Sequence, residues 1–377
     1  MAPLRGAIGS DKELEHVKTT YSIKRNAINQ FKQALGRSLS DPLCLLTKCE
    51  VDVITFEEAM DTVEDGAKPS ILLGNGFSRA WSNDIFNYAN LLDAADFDDR
   101  NNELRDLFDR CGTYDFEAVM RALVSAKTVL ESYGGNDILI QTIERDQQLL
   151  KDALITAISN THPNRPNEVT TDQFTAARRY LSRFDQIFTV NYDLLFYWAR
   201  NMDDLPPDNY STDDGFRAGC KWRGHGTNQE AHFLHGGLHI FDRGSNIEKH
   251  AFSETGTSIV DLVRNNLARG RFPLFVSEPT SDKKKARIEH NPYLDYCFRA
   301  LRNVSGTFFI QGHSIDENDK HIFDQLKKSR VEKFFVSIFG DENSEDNTRI
   351  KANARAYLES GISEVEFFDA QSADIWA

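Results

Sequence analysis

An α/β fold built on a parallel sheet is predicted by three observations. Short apolar runs at Ser70–Leu73, Gln186–Val190, Thr307–Gln311 and Lys333–Phe339 alternate with stretches of helical periodicity. Several of these runs break into Gly, Asn, Asp or His at their carboxyl ends, where open parallel sheets carry their ligands. The first of them, in Ile71–Ser78 (ILLGNGFS), passes through Gly74, Asn75 and Gly76 toward a helix, as a strand-to-helix turn requires.

The chain has 377 residues, 40% of them hydrophobic and 27% charged, enough for one large α/β domain with an insertion or for two modest domains. Its 26 Phe imply an aromatic-rich core or interface. No stretch approaches the roughly 18 apolar residues of a membrane helix. The opening MAPLRGAIGSDKELEHVKTT has no apolar signal region, so a cytoplasmic location without a membrane partner is expected. Cys44, Cys49, Cys111, Cys220 and Cys297 form no CxxC pair and read as reduced thiols. A net charge of −14 opposes direct nucleic-acid binding.

In chain order, residues 13–37 read as a helix. Residues 1–37 hold seven Lys or Arg against three acids, with Ile23, Ala27, Ile28, Phe31 and Leu35 at helical spacing. This predicts an amphipathic arm or oligomer contact over 1–50, rather than a nucleic-acid arm, with the ligand-binding domain over 51–377. A second helix is expected at Phe56–Val63, followed by the strand Ser70–Leu73. From about 97 to 181 the pattern is helical almost throughout, which predicts a large insertion. After the strand at Gln186–Val190 come a helix at Leu194–Ala199 and a long Gly- and Asp-rich loop. Phe233 and Leu234 end one short strand, Leu274–Val276 form another, and a helix at Arg349–Glu359 precedes a last strand at Glu364–Phe368.

Four polar runs carry chemistry. Gly74 and Gly76 would let the backbone turn with positive φ and approach a phosphate at a helix start. In TVNYD, Asn191 and Asp193 offer an amide and a carboxylate, or else simply cap the next helix. In FLHGG, His235 can exchange a proton near neutral pH, or it is a satisfied core histidine. His232, His235 and His239 could instead hold zinc if a loop bent them together. In QGHSIDEND, Gly312 and Ser314 follow a strand, while His313, Asp316 and Asp319 read as exposed polar residues. The run DKKKAR at 282–287 reads as a basic loop, most simply a solvated face.

GNGFS, TVNYD, LHGG and GHSIDEND, in this order, resemble the motif set of sirtuins and especially of bacterial sirtuin-like NAD hydrolases of anti-phage defence. The resemblance covers roughly residues 70–340. It implies a Rossmann-like parallel sheet with a large helical insertion and an N-terminal helical arm, and NAD as substrate. Gly74, Asn75, Gly76 and Ser78 would cradle the pyrophosphate, with Asn75 in place of a small residue. Asn191 would contact the nicotinamide ribose and Asp193 the carboxamide. His235 would be the catalytic acid/base, and Gly312 and Ser314 would contact ribose and phosphate. Phe86 sits at about the spacing of a family Phe that closes over nicotinamide, and a core role is equally open to it. The zinc ribbon of the deacylases needs two CxxC pairs; none is present, so no metal is expected and the resemblance points to hydrolysis of NAD itself. It further implies a homo-oligomer and a phage-sensing partner such as a helicase-like ATPase. The alternatives are a noncatalytic NAD or ADP-ribose sensing module and, third, an NAD-dependent protein deacylase.

Overall fold

The computed structural model describes residues 53–377 except 87, 227–228, 252–255, 270 and 279. The arm expected over 1–50, with its helix at 13–37, lies outside the described residues. Eleven strands occur among those described: β1 Ser70–Leu73, β2 Gln186–Thr189, β3 Thr212–Asp213, β4 Phe216–Arg217, β5 Lys221–Trp222, β6 Gln229–Phe233, β7 Ile240–Asp242, β8 Ile247–Lys249, β9 Ser305–Gln311, β10 Arg330–Ile338 and β11 Glu364–Asp369. Seven form one sheet in the order β11-β10-β9-β1-β2-β6-β3, every pairing parallel. The other four make a small antiparallel sheet, β4-β5-β8-β7.

This is the predicted α/β class, a doubly wound parallel sheet. Parallel strands covered on both faces must be apolar on both, and β1 is buried at all four positions. Neighbouring residues therefore feed opposite faces. Phe309 stacks on Phe335 and packs edge-on against Phe56, Phe184 and Phe368 at centroid distances of 5.0–5.7 Å, whereas Phe308 packs between Phe188 and Phe334 at 6.1 and 6.0 Å. Each such ring contributes roughly 1.5–3 kcal/mol of burial, which accounts for the abundance of Phe.

Between β1 and β2 the described chain is helical, with the helices Asn101–Cys111, Phe116–Ser132, Asp137–Thr161 and Thr171–Leu181. The last starts at a capping box in which Thr170 and Gln173 satisfy each other's amides. Arg178 on it is fully buried and donates to the carbonyls of Ala199, Arg200, Leu205, Pro206 and Tyr210 at 3.0–3.3 Å, fixing the segment that leaves the helix Leu195–Arg200. None of the described helices is long and apolar enough to cross a membrane.

Two expectations of organisation change. The long loop after Ala199 carries β3, β4 and β5, strands of two residues that are too short for any periodicity to reveal. Leu274–Val276 is no strand: only Phe275 bridges, to Gly236. Chain order also locates a crevice. From β1 the chain builds outward through β2 and β6, then returns to the other side of β1 with β9, so the winding reverses between β1 and β9. Ligands of open α/β sheets sit at the carboxyl ends of such a pair.

Candidate functional site

The loops after β1 and β9 meet backbone to backbone. Gly74 N–H donates to Gln311 O at 2.8 Å and Gly76 N–H to Gly312 O at 2.9 Å. A Cβ on Gly74 would lie 2.5 Å from Gly312 O, and one on Gly76 2.5 Å from Gly312 Cα. Only Gly312 of the three has positive φ, +66°. The positive φ expected at Gly74 and Gly76 is thus not observed; glycine is required there because a second backbone lies against it. Asn75, next in the turn, donates through Nδ2 to Phe86 O at 3.0 Å. Phe86 itself is buried edge-on against His162 and Trp81.

The helix Gly76–Trp81 brings Ser78 inward, where it meets the loop after β2. Ser78 Oγ donates to Asp193 Oδ2 at 2.6 Å, and Asn191 Nδ2 donates to Gly74 O at 2.9 Å and to Ser78 Oγ at 3.2 Å. Asp193 Oδ1 also accepts the Leu195 amide at 2.8 Å, so it caps a helix and binds Ser78 at once. All three side chains are buried. Burial raises the Asp193 carboxyl above its usual range, opposed by the bonds from Ser78 and Leu195. The neighbouring Leu194 amide donates to His162 Nε2 at 2.9 Å.

His235 follows β6. Its carbonyl accepts from Val276 N–H at 3.1 Å, and Tyr192 OH donates to Val276 O at 2.5 Å, tying this loop to the one after β2. The imidazole is buried, and its Nε2 has no hydrogen-bond partner. The nearest carboxylate oxygen is Asp319 Oδ1 at 3.8 Å, longer than a hydrogen bond. Burial drives the His235 pKa well below 6.5; Asp319 opposes that shift, while Lys284, His321 and His313 add to it. The ring is neutral at neutral pH, the state a proton acceptor needs.

Three residues of the loop and turn after β9 differ from the sequence expectation. His313 is buried and Asp319 is largely buried, not exposed; Asp316 is half-buried and faces Arg349 at 3.5 Å. Ser314 is exposed. The expected basic loop at 282–287 is part of the helix Ser281–Glu289, in which Lys283 and Lys285 face solvent and Lys284, 1% exposed, turns inward with Ile288. Lys284 Nζ lies 2.9 Å from Asp319 Oδ1. Ile315 N–H donates to His313 Nδ1 at 2.9 Å, so the His313 hydrogen sits on Nε2, which faces Asp319 Oδ2 at 3.3 Å. Burial would raise the Asp319 pKa, but Lys284, the His313 hydrogen bond and His235 hold it well below the usual range.

His232, His235 and His239 do not converge as a zinc site would require. His232 pairs with Glu230 at 3.1 Å and stacks on Phe188, and His239 packs at a tilt against Tyr197. Among the described residues, the donor atoms that do gather are those of His235, Asp319 and His321, within 4.8 Å of one another. That spacing would suit a metal ion, but the Lys284 ammonium already occupies the cation's place on Asp319. A separate cavity of about 310 Å³ at the carboxyl ends of β10 and β11, lined by Ile338, Gly340 and Asp369, contains none of the expected site residues.

A family model described as "Domain of unknown function (DUF4917)" matches residues 71–376. Among solved structures, that of Sir2Tm bound to a propionylated peptide aligns over 84% of this chain and 94% of that chain, with 12% identity and a TM-score of 0.34. No curated protein matches the chain.

Proposed function

The chain belongs to the DUF4917 family, a domain of unknown function, and from that premise we propose, on its own residues, that it cleaves the nicotinamide N-glycosidic bond of NAD. One observation carries the reading. The four polar runs follow β9, β1, β2 and β6, four consecutive strands of the sheet, at the end where such sheets bind ligands. They present Gly312, the Gly74–Ser78 turn, Asn191 with Asp193, and the neutral imidazole of His235.

In this reading Gly74, Asn75, Gly76, Ser78, Gly312 and Ser314 take the phosphates and ribose of NAD. Asp193 uses two acceptor sites on Ser78 and Leu195, and a carboxylate has about four, so capacity remains for the carboxamide N–H groups. Asn191 positions the nicotinamide ribose or a water. Water attacks the anomeric carbon, the C–N bond breaks with its electron pair passing to the pyridinium ring, and His235 takes the water proton and later releases it to solvent. The products are nicotinamide, ADP-ribose and one proton. Removing the acceptor should cost about 10²–10⁴-fold in rate.

As the effector of an anti-phage defence system, such an enzyme would be kept silent in the cytoplasm until triggered. The helical insertion at about 97–181 would wall off the site. Residues 1–50 would serve as the arm of a homo-oligomer, with a phage-sensing partner such as a helicase-like ATPase. The assay is nicotinamide release from NAD by wild type, His235→Ala and Asn191→Ala, with assembly mass recorded before and after deletion of 1–50. A fully active His235→Ala protein rejects the mechanism, and an unchanged oligomer removes the arm from it. A second reading, a noncatalytic NAD or ADP-ribose sensor, is favoured by the hydrogen bonds that already tie Ser78 to both Asp193 and Asn191; tight NAD binding without release would select it. Nicotinamide release accelerated by an acyl-lysine peptide would instead favour a deacylase.

A further inference from the structure

The roles proposed for the four motifs leave unused several groups that crowd His235. Asp319 comes from the turn after β9, Lys284 from the helix Ser281–Glu289, and His313 from the loop at the end of β9. His321, on the helix Lys320–Leu326, lies with its ring 5.7 Å from that of His235 and nearly parallel, and the Tyr192 ring is 6.3 Å away. Asp319 is the single acid in this shell that faces the His235 ring among the groups acting on it.

We infer that Asp319 is the positioning residue of His235, orienting the imidazole through Nε2–H and balancing the charge that arises when Nδ1 takes a proton, while Lys284 and His313 hold the carboxylate in place. The inference rests on the reading of His235 as the proton acceptor, and it names which nitrogen accepts.

Three features lead to it. First, the His235 Nε2 is buried and unbonded, an unfavourable state unless a partner is gained. The oxygen facing it is Asp319 Oδ1 at 3.8 Å, a gap of the kind that closes when substrate seats, since catalytic hydrogen bonds are often loose before binding. Second, the carboxylate is fixed at both oxygens, Oδ1 by Lys284 at 2.9 Å and Oδ2 by His313 at 3.3 Å. The fixed tautomer of His313 makes it a donor there, so both neighbours favour the ionised acid. Third, a proton held on Nε2 leaves the lone pair on Nδ1, which is the division of labour by which an acid orients a catalytic histidine without itself taking the proton. The Lys284 ammonium serves the same end, because an acid paired to it does not accept a proton from the imidazolium.

The test combines ¹⁵N-histidine NMR with steady-state nicotinamide release in wild type, Asp319→Asn and Lys284→Met, with His235→Ala assigning the signal. The expected wild-type tautomer has its hydrogen on Nε2. Loss of the acid should lower the His235 titration midpoint and the acidic limb of the rate profile; loss of the ammonium should raise both, because the two charges act on the ring with opposite sign. For Asp319→Asn, kcat should fall roughly 10–100-fold with KM within about threefold, part of what a general base supplies. If Lys284→Met does not fold, the near-isosteric Asp319→Asn still decides. A hydrogen on Nδ1, or a midpoint unmoved in Asp319→Asn, overturns the inference. So does activity abolished by EDTA and restored by zinc, which would make Asp319 and His235 ligands. A wild type that releases no nicotinamide removes the hydrolase reading alone, since tautomer and midpoint still report on Asp319.

Discussion

Ser78 and Asp193, 115 residues apart, are joined by a buried 2.6 Å hydrogen bond. It is the shortest link between the turn after β1 and the turn after β2, and the acid it serves is one that burial disfavours in ionised form. Ser78→Ala should therefore destabilise the fold by about 1–3 kcal/mol. A raised folded-state pKa means that Asp193 binds more protons folded than unfolded, so its ionisation lowers stability as pH rises above the unfolded value. Removing the Ser78 bond raises that pKa further, and the loss should be larger at pH 7 than at pH 4. Urea denaturation at both values tests this; an equal loss at both would refute it.

Gly76→Ala and Gly312→Ala should each cost about 1–3 kcal/mol or more, as overpacking of a rigid contact does. Gly312 pays additionally for its φ of +66°. Gly306→Ala is the control, since it has φ +68° but nothing within 4 Å of the added Cβ. It should lose only about 1 kcal/mol, the backbone part alone. Equal losses at all three positions would mean that the contact between the two loops is not tight.

Acid should unfold the protein in a defined window. His162, His232 and His321 are pushed down to about 4, chiefly by burial. Because the unfolded state takes up their protons near pH 6.5 and the folded state does not, stability is full above that value and falls as pH drops from about 6.5 toward 4. His162 makes the local consequence visible: its Nε2 accepts the Leu194 amide and its Nδ1 faces Pro163 O at 2.8 Å, so protonation breaks the first bond. Melting temperature measured across this range should fall steeply, and the fall should be shallower in His162→Gln.

Arg178→Met should destabilise by at least about 3 kcal/mol, because several buried carbonyls lose their donor together. Arg178→Lys should not rescue it: an ammonium cannot reach acceptors that a planar five-donor group spans. Recovery in the Lys variant, read by chemical denaturation, would show that charge alone mattered.

Most of the parallel sheet and the polar turns at its carboxyl ends were legible because strands such as β1, β2, β9 and β10 are apolar runs and the turns are breaks in them; β3, two polar residues at its edge, left no such trace. Ser78, Asn191 and Asp193 were picked out in the sequence for a ligand; their bonds to one another were not foreseeable, as pairing across 115 residues leaves no local trace. Lys284 was hidden by its neighbours. In a run of three lysines on a helix, successive side chains diverge by about 100°, so one can be buried while two are solvated. The spacing of Lys284 to Ile288 was the available signal. Asp319 and His313 lay in a run dense with polar residues, and only the buried ammonium opposite explains why such groups are withdrawn from water. The small sheet was missed because its strands are two or three residues long.

The pairing of β1 with β9 also sets a schedule for the nascent chain. A ribosome that has reached the end of the helix Pro292–Ala300 has already made Gly74, Ser78, Asn191 and His235, but not the backbone of Gly312 against which the first turn rests, nor Asp319. Trp376, which donates through Nε1 to Phe77 O at 2.9 Å inside that same turn, comes later still. Translation thus completes the candidate site only once it has passed Asp319, and a product stalled before that residue carries the imidazole without the carboxylate that faces it.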